Sequence, residues 1–128
     1  MHPHAIRIAL KTRAAVKGGL LPERNRQTTD ALLDVVRFAE RFAWRQAVGK
    51  ASRAKQPLDE IELFLIGARA RYRLQWQSGL VRVKKLGDDE HRSAVRLVTM
   101  RQTIVALGQG DLSLEQALRY GALEMETR

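Results

Sequence analysis

Apolar side chains recur at three- and four-residue steps along most of the chain, which is the pattern of amphipathic helices. This spacing predicts long helices over residues 5–17, about 29–48, about 57–78 and about 88–108. Glycines and prolines fall between the segments, where they end one helix before the next begins. Four long amphipathic segments joined by short loops predict an antiparallel four-helix bundle over about residues 5–108.

A shorter segment follows the bundle. Ser113 and Gln116 stand three residues apart, as in a capping box, and predict an additional C-terminal helix over about residues 113–126. The expected fold class is therefore all-α. The length of 128 residues corresponds to a single helical domain, residues 1–128.

Two segments leave strand alternatives open. Residues 5–10 alternate between apolar and polar positions, as a strand does. We favour a helix there because no partner strand is evident elsewhere. Leu80, Val81 and Val83, in the basic connector 80–87, would also fit a short strand, although covering the end of the bundle is the favoured interpretation.

The balance of charge indicates an anionic partner. The chain carries 23 Lys and Arg against 14 Asp and Glu, a net charge of +9, and residues 111–128 are net acidic. Such a positive field attracts polyanions. The absence of cysteine excludes disulfides, thiol catalysis and thiolate metal sites. No apolar run approaches the ~20 residues of a membrane span and no secretory segment is evident, so a cytoplasmic protein without membrane partners is expected.

Candidate catalytic and metal residues are few. The run 88–91, Asp-Asp-Glu-His, is interpreted as the acidic first turn of a helix, since consecutive helical residues diverge and do not converge on one ion. Asp34 and Glu62 are interpreted as surface charges rather than as a catalytic pair. We therefore expect no catalytic residue, metal or cofactor. An enzyme would need a pocket with converging polar groups.

Basic residues at helical spacing form the candidate binding site. On the expected third helix, Arg69, Arg73 and Trp76 stand at i, i+4 and i+7 and share one stripe. Arginine binds phosphate through paired hydrogen bonds, and an indole stacks on a base. The predicted nucleic-acid contacts are Arg37, Arg41, Arg45, Arg69, Arg73, Trp76, Lys84 and Lys85. The aromatic residues on these stripes are alternatively contacts between copies in a homo-oligomer.

The order of these segments resembles a known family. The resemblance rests on these residues, in chain order: Leu21-Pro22-Glu23-Arg24, then Leu32, Val35, Val36 and Glu40, then Leu58, Ile61, Leu65, Arg69 and Leu74. This arrangement is similar to the Avd accessory proteins of diversity-generating retroelements, which share a four-helix fold with ribosomal intervening-sequence proteins. The resemblance implies a basic pentamer that binds a reverse transcriptase and its template RNA.

The sequence thus predicts a non-catalytic accessory protein. It would bind RNA or single-stranded DNA without sequence preference, together with a partner enzyme such as a reverse transcriptase. The alternative is a protein-interaction module, such as a secretion chaperone or a conjugation accessory factor, that binds an acidic protein.

Overall fold

The chain folds as helices packed on a mixed β-sheet. A computed structural model describes residues 2–21, 30–55 and 58–127. In chain order the elements are α1 (Ala5–Lys17), α2 (Ala31–Arg41), α3 (Trp44–Ala51), β1 (Glu60–Ile66), β2 (Ala70–Gln77), β3 (Leu80–Leu86), β4 (Val95–Met100), α4 (Arg101–Gln109), α5 (Leu114–Tyr120) and β5 (Leu123–Thr127). The strand order is β3-β2-β1-β4-β5, with β1 and β4 parallel and the other pairs antiparallel. The all-α prediction is wrong.

The predicted third helix is the β1–β2 hairpin. Apolar residues along this stretch fit both a helical step and the strand alternation Ile61, Leu63, Leu65, and the strand alternation is what the structure uses. The turn places Gly67 at φ 87° and Arg69 at φ 50°, conformations that end a regular helix. Residues 60–66 form a strand rather than a helix because β1 pairs with both β2 and β4.

The other long predicted helices are also interrupted. The segment 29–48 breaks at Phe42, whose backbone is extended, so α2 and α3 are separate helices. Of the predicted fourth helix, only α4 is helical, because β4 occupies residues 95–100. The connector 80–87 forms strand β3, so the strand alternative for this segment is correct. Residue 57, where the third helix is predicted to begin, lies outside the described residues; Asp30 caps α2 by accepting a hydrogen bond from Leu32 N.

Two local predictions are confirmed. Helix α1 has the predicted bounds. Ser113 and Gln116 form the predicted capping box at the start of α5. That helix nevertheless ends at Tyr120, and the chain continues as strand β5, so the appended helix to residue 126 is wrong in its second half.

The two faces of the sheet differ in chemistry. One face carries buried apolar residues such as Ile61, Leu74 and Leu97, which join α2–α5 in the core through residues such as Phe38 and Ile104. The opposite face carries charged side chains at the paired positions of β1, β2, β4 and β5. We call this cluster the ionic face: Glu60, Glu62, Arg71, Arg73, Arg96 and Glu126.

Candidate functional site

A cleft between α1 and the sheet is the candidate site. Its volume is about 330 Å³, and we call it the N-terminal cleft. Its lining residues are His2, Ala5, Ile6, Ala9, Phe64, Ile66, Gly67, Arg69 and Met100. His2 and Arg69 are the polar side chains among these residues. The volume lies within the range of roughly 300–1,000 Å³ typical of small-molecule sites.

The floor of this cleft lies on the same side of the sheet as the ionic face, but its side chains are apolar. Phe64 and Ile66 follow Glu62 on the same side of β1, and Met100 pairs beside Ile66. The same face is thus charged at one end and apolar at the other, because its positions change from Glu to Phe and Ile along β1. An apolar ligand would therefore rest at the apolar end.

Helix α1 supplies small residues to the cleft wall. Ala5 and Ala9 are one turn apart and lie on the same side of the helix, so their short side chains leave space above the sheet. Ile6, also part of the lining, is 70% exposed. The cleft therefore opens to solvent beside an exposed apolar residue.

The start of α1 is fixed to β5 by charged contacts. Arg7 donates from Nε and Nη2 to the two Glu124 carboxylate oxygens, each at 2.8 Å. His4 Nδ1 lies 2.7 Å from Glu124 Oε1, and His2 Nε2 lies 3.2 Å from Glu126 Oε2. The hydrogen bond from Arg7 lowers the pKa of Glu124 despite the opposing effect of burial, with His4 contributing in the same direction. These contacts hold one wall of the cleft.

Glu62 is the centre of the ionic face and is fully buried. Arg71 Nε and Nη2 each donate to its carboxylate at 3.0 Å, Ser93 N donates at 3.2 Å, and Arg96 Nη1 lies at 3.5 Å. Burial raises the pKa of Glu62, but the hydrogen bonds and the two arginine charges outweigh it and lower that pKa overall. The carboxylate is therefore held ionised.

The same network attaches the β3–β4 loop to the sheet. Arg71 Nη1 donates to the carbonyls of Gly87 and Glu90, and Arg73 Nη2 donates to the carbonyl of His91 at 2.7 Å. Ser93 Oγ donates to Glu60 at 2.8 Å. Because these groups bond one another, the ionic face holds the β3–β4 loop against the sheet.

The structure separates the predicted nucleic-acid contacts. Arg73 is buried on the ionic face near Glu60 (3.7 Å) and Glu90 (3.9 Å), and Lys84 binds Glu90 at 3.2 Å. Trp76 is on the opposite face of β2, because residues three apart in a strand point to opposite sides. The predicted stripe of Arg69, Arg73 and Trp76 therefore does not exist.

The remaining five predicted residues lie on α2, α3, β3 and the β1–β2 turn. Arg37 and Arg41 are on α2, Lys85 is exposed on β3, and Arg69 is in the turn beside the N-terminal cleft. Arg41, Arg45 and Trp76 do come together, in a second cleft of about 370 Å³. We call it the tryptophan cleft; its lining is Ala39, Glu40, Arg41, Phe42, Ala43, Trp44, Arg45, Gln46, Trp76 and Val81.

Residues 88–91 lie in the loop between β3 and β4 and not at the start of a helix. Within residues 2–21, 30–55 and 58–127, no three His, Asp or Glu side chains are placed to hold a metal ion. No helix in this part of the chain has the length and apolarity needed to cross a membrane.

Sequence reasoning missed the residues of the N-terminal cleft. The sequence pattern places Phe64, Ile66 and Met100 in predicted helices, which gives no reason to group them with α1. A signal was nevertheless present, since the run 60–66 places Glu, Glu, Phe and Ile at alternate positions. Interpreted as a strand, it describes one face that changes from charged to apolar.

Comparisons with known proteins match the fold but not the sequence. No family model matches the chain, and no curated protein matches it. A double mutant of the sec-alkyl sulfatase PisA1 aligns with TM-score 0.53 and 16% identity over 91% of this chain and 18% of that one. Sterol Carrier Protein 2 from Yarrowia lipolytica, in its apo form, aligns with TM-score 0.50 and 16% identity over 82% of this chain and 92% of that one.

A third similar structure is Sterol Carrier Protein 2 Like 2 from Aedes aegypti, with TM-score 0.48 and 13% identity over 75% of this chain and 87% of that one. The fold assignment rests on the first two structures. This chain spans only a small part of the sulfatase, whereas it corresponds to most of the Yarrowia protein.

These findings correct the earlier predictions. The Avd resemblance is wrong, because the chain folds as helices on a mixed sheet, similar to Sterol Carrier Protein 2 from Yarrowia lipolytica, and not as a four-helix bundle. The predicted function as a nucleic-acid accessory protein, which rested on the excess of positive charge and on that resemblance, is wrong with it. Association with further copies or with a partner protein stays a prediction. The chain has a sterol-carrier-like α/β fold.

Proposed function

We propose that this protein binds and carries a lipid-like apolar molecule in the N-terminal cleft, without catalysing a reaction on it. The observation that carries the proposal is a ligand-sized cleft of about 330 Å³ with mainly apolar walls. Further support comes from the fold, since the Yarrowia structure that it resembles along most of both chains is described as a sterol carrier protein.

The chemistry of the cleft lining favours binding by burial of apolar surface. Each buried methylene group contributes about 0.8 kcal/mol, or roughly a fourfold gain in affinity. A single-chain amphiphile fits this arrangement, because its tail would lie on Phe64, Ile66 and Met100 while its polar end stays near the open side. Affinity should therefore rise with chain length until the cleft is filled.

Narrowing the cleft should weaken ligand binding. Ala9→Phe places a ring in the space between α1 and the sheet, and we expect it to lower the affinity for a dansyl-labelled fatty acid by about tenfold or more. Ala14→Phe adds the same side chain to an exposed position of α1 outside the cleft and should leave affinity unchanged. Probe fluorescence in a titration of each purified variant measures the effect.

Two results would count against the proposal. Absence of saturable binding of both the fatty-acid probe and a fluorescent sterol to the unmodified protein would reject lipid carriage. Saturable binding that Ala9→Phe leaves as strong as Ala14→Phe does would place the ligand outside the N-terminal cleft. Circular dichroism of both variants establishes that each is folded.

A further inference from the structure

The tryptophan cleft lies on the face of the sheet opposite the N-terminal cleft. We infer that it is a second, independent binding site, and that its ligand is a small planar aromatic carboxylate. The cleft has a volume of about 370 Å³ and lies between the α2–α3 junction and the β2–β3 hairpin. It shares no lining residue with the N-terminal cleft.

Aromatic rings dominate the apolar part of this cleft. Trp44 is 2% exposed, and Trp76 is only half-buried. Phe42 is also half-buried and stacks on Phe38, with ring centroids 5.1 Å apart. Partly exposed Trp and Phe rings at one cleft offer stacking surfaces to a further planar ring, and such aromatic contacts contribute beyond simple burial of area.

Arg45, one of the two arginines that line the cleft, already binds other groups of the protein. Arg45 Nε donates to Leu58 O at 2.8 Å, and its Nη2 donates to Asp59 Oδ1 at 2.6 Å. Its guanidinium lies 5.2 Å from the centroid of the Trp76 ring. Arg45 therefore positions Trp76 and is neutralised by Asp59.

The other arginine supplies the preference for an anion. Arg41 lines the cleft and is exposed, and it forms no ion pair with any residue in the described part of the chain. Glu40 is the acidic residue of the lining. A carboxylate on the ligand ring would pair with Arg41, because guanidinium and carboxylate form paired, charge-assisted hydrogen bonds.

Intrinsic fluorescence reports directly on this site, since the two tryptophans of the chain both line it. Titration with naphthoate should give a saturable change in tryptophan fluorescence. Cyclohexanecarboxylate, which has the charge without the aromatic ring, and naphthylmethanol, which has the ring without the charge, should bind at least about fivefold more weakly.

Charge variants separate a specific site from general attraction to a basic protein. Arg41→Gln should weaken naphthoate binding by about three- to tenfold. Glu40→Gln should strengthen it, and Arg13→Gln, an exposed arginine of α1, should leave it unchanged. Equal effects of Arg41→Gln and Arg13→Gln would overturn the proposal, as would a titration without a saturable fluorescence change.

Two variants distinguish a failure of the aromatic-carboxylate proposal from a failure of the lipid proposal. Ala9→Phe should leave naphthoate binding unchanged, because Ala9 lies in the N-terminal cleft. Trp76→Phe should remove most of the naphthoate-induced signal without altering affinity for the fatty-acid probe. Loss of naphthoate binding in Ala9→Phe would overturn the assignment of two separate sites.

Discussion

Glu62→Gln is expected to lower the free energy of unfolding by about 3–5 kcal/mol, because it removes one partner of a buried ion pair. The carboxylate is fully buried and bound to Arg71 through two hydrogen bonds of 3.0 Å, with Arg96 3.5 Å away. The amide has nearly the same shape but no charge. The largely buried guanidinium of Arg71 would then lack the carboxylate that accepts its two hydrogen bonds, whereas Arg96 would keep its second partner, Glu126.

Urea unfolding followed by circular dichroism measures this loss. An unfolding free energy of about 5–15 kcal/mol is usual for a domain, so the expected change is a large fraction of the total. The slope of unfolding free energy against urea should stay the same if the fold is retained. A variant with reduced midpoint and unchanged slope would agree with the prediction.

Glu115→Gln is the matched control. Glu115 also pairs with an arginine, Arg119, at 2.6 Å, but its side chain is 80% exposed and the pair lies on the surface of α5. Solvent screens such a pair, so its removal should change stability little. Equal destabilisation by Glu62→Gln and Glu115→Gln would contradict the role assigned to the ionic face.

Local sequence signals predicted the parts of the fold that depend on neighbouring residues. The bounds of α1 and the capping box of Ser113 and Gln116 were found because their chemistry acts within one or two helical turns. The strands were missed because their stability comes from distant pairing. Residues 60–66, for example, pair with both 70–75 and 96–100, and their spacing alone also fits a helix.

The candidate sites were harder to predict for the same reason. Arg45 and Trp76 are 31 residues apart in sequence and meet only because the fold brings the start of α3 beside β2. The composition shows the excess of basic residues but not which acidic residues pair with them. Arg73, expected at a surface for phosphate, is buried between Glu60 and Glu90 instead.

Acid should destabilise the protein steeply, because the carboxylates beside arginines have lowered pKa values in the folded state. This holds for Glu60, Glu62, Glu124 and Glu126. For Glu60 and Glu126, burial raises the pKa, but hydrogen bonds from Ser93 and Arg96, respectively, and nearby positive charges outweigh it. In the unfolded chain each glutamate returns to its ordinary value near 4.5.

The sign of the effect follows from proton binding. As pH falls through 4.5, the unfolded chain binds protons before the folded protein does, so the free energy of unfolding decreases with falling pH. The contribution of these carboxylates is present above that pH and is lost as pH passes through their folded pKa values. Urea midpoints measured from about pH 7 to about pH 3 should therefore fall mainly below about pH 5.

The Glu62→Gln variant also tests the dependence of stability on pH. The variant lacks one of the carboxylates with a lowered pKa, so its stability should start lower at neutral pH and decline less steeply in acid than that of the unmodified protein. Glu115→Gln retains all four of these carboxylates and should therefore keep their decline of stability in acid. A free energy of unfolding that stays constant or rises as pH falls to about 3 would show that the ionic face does not hold its glutamates in the charged form.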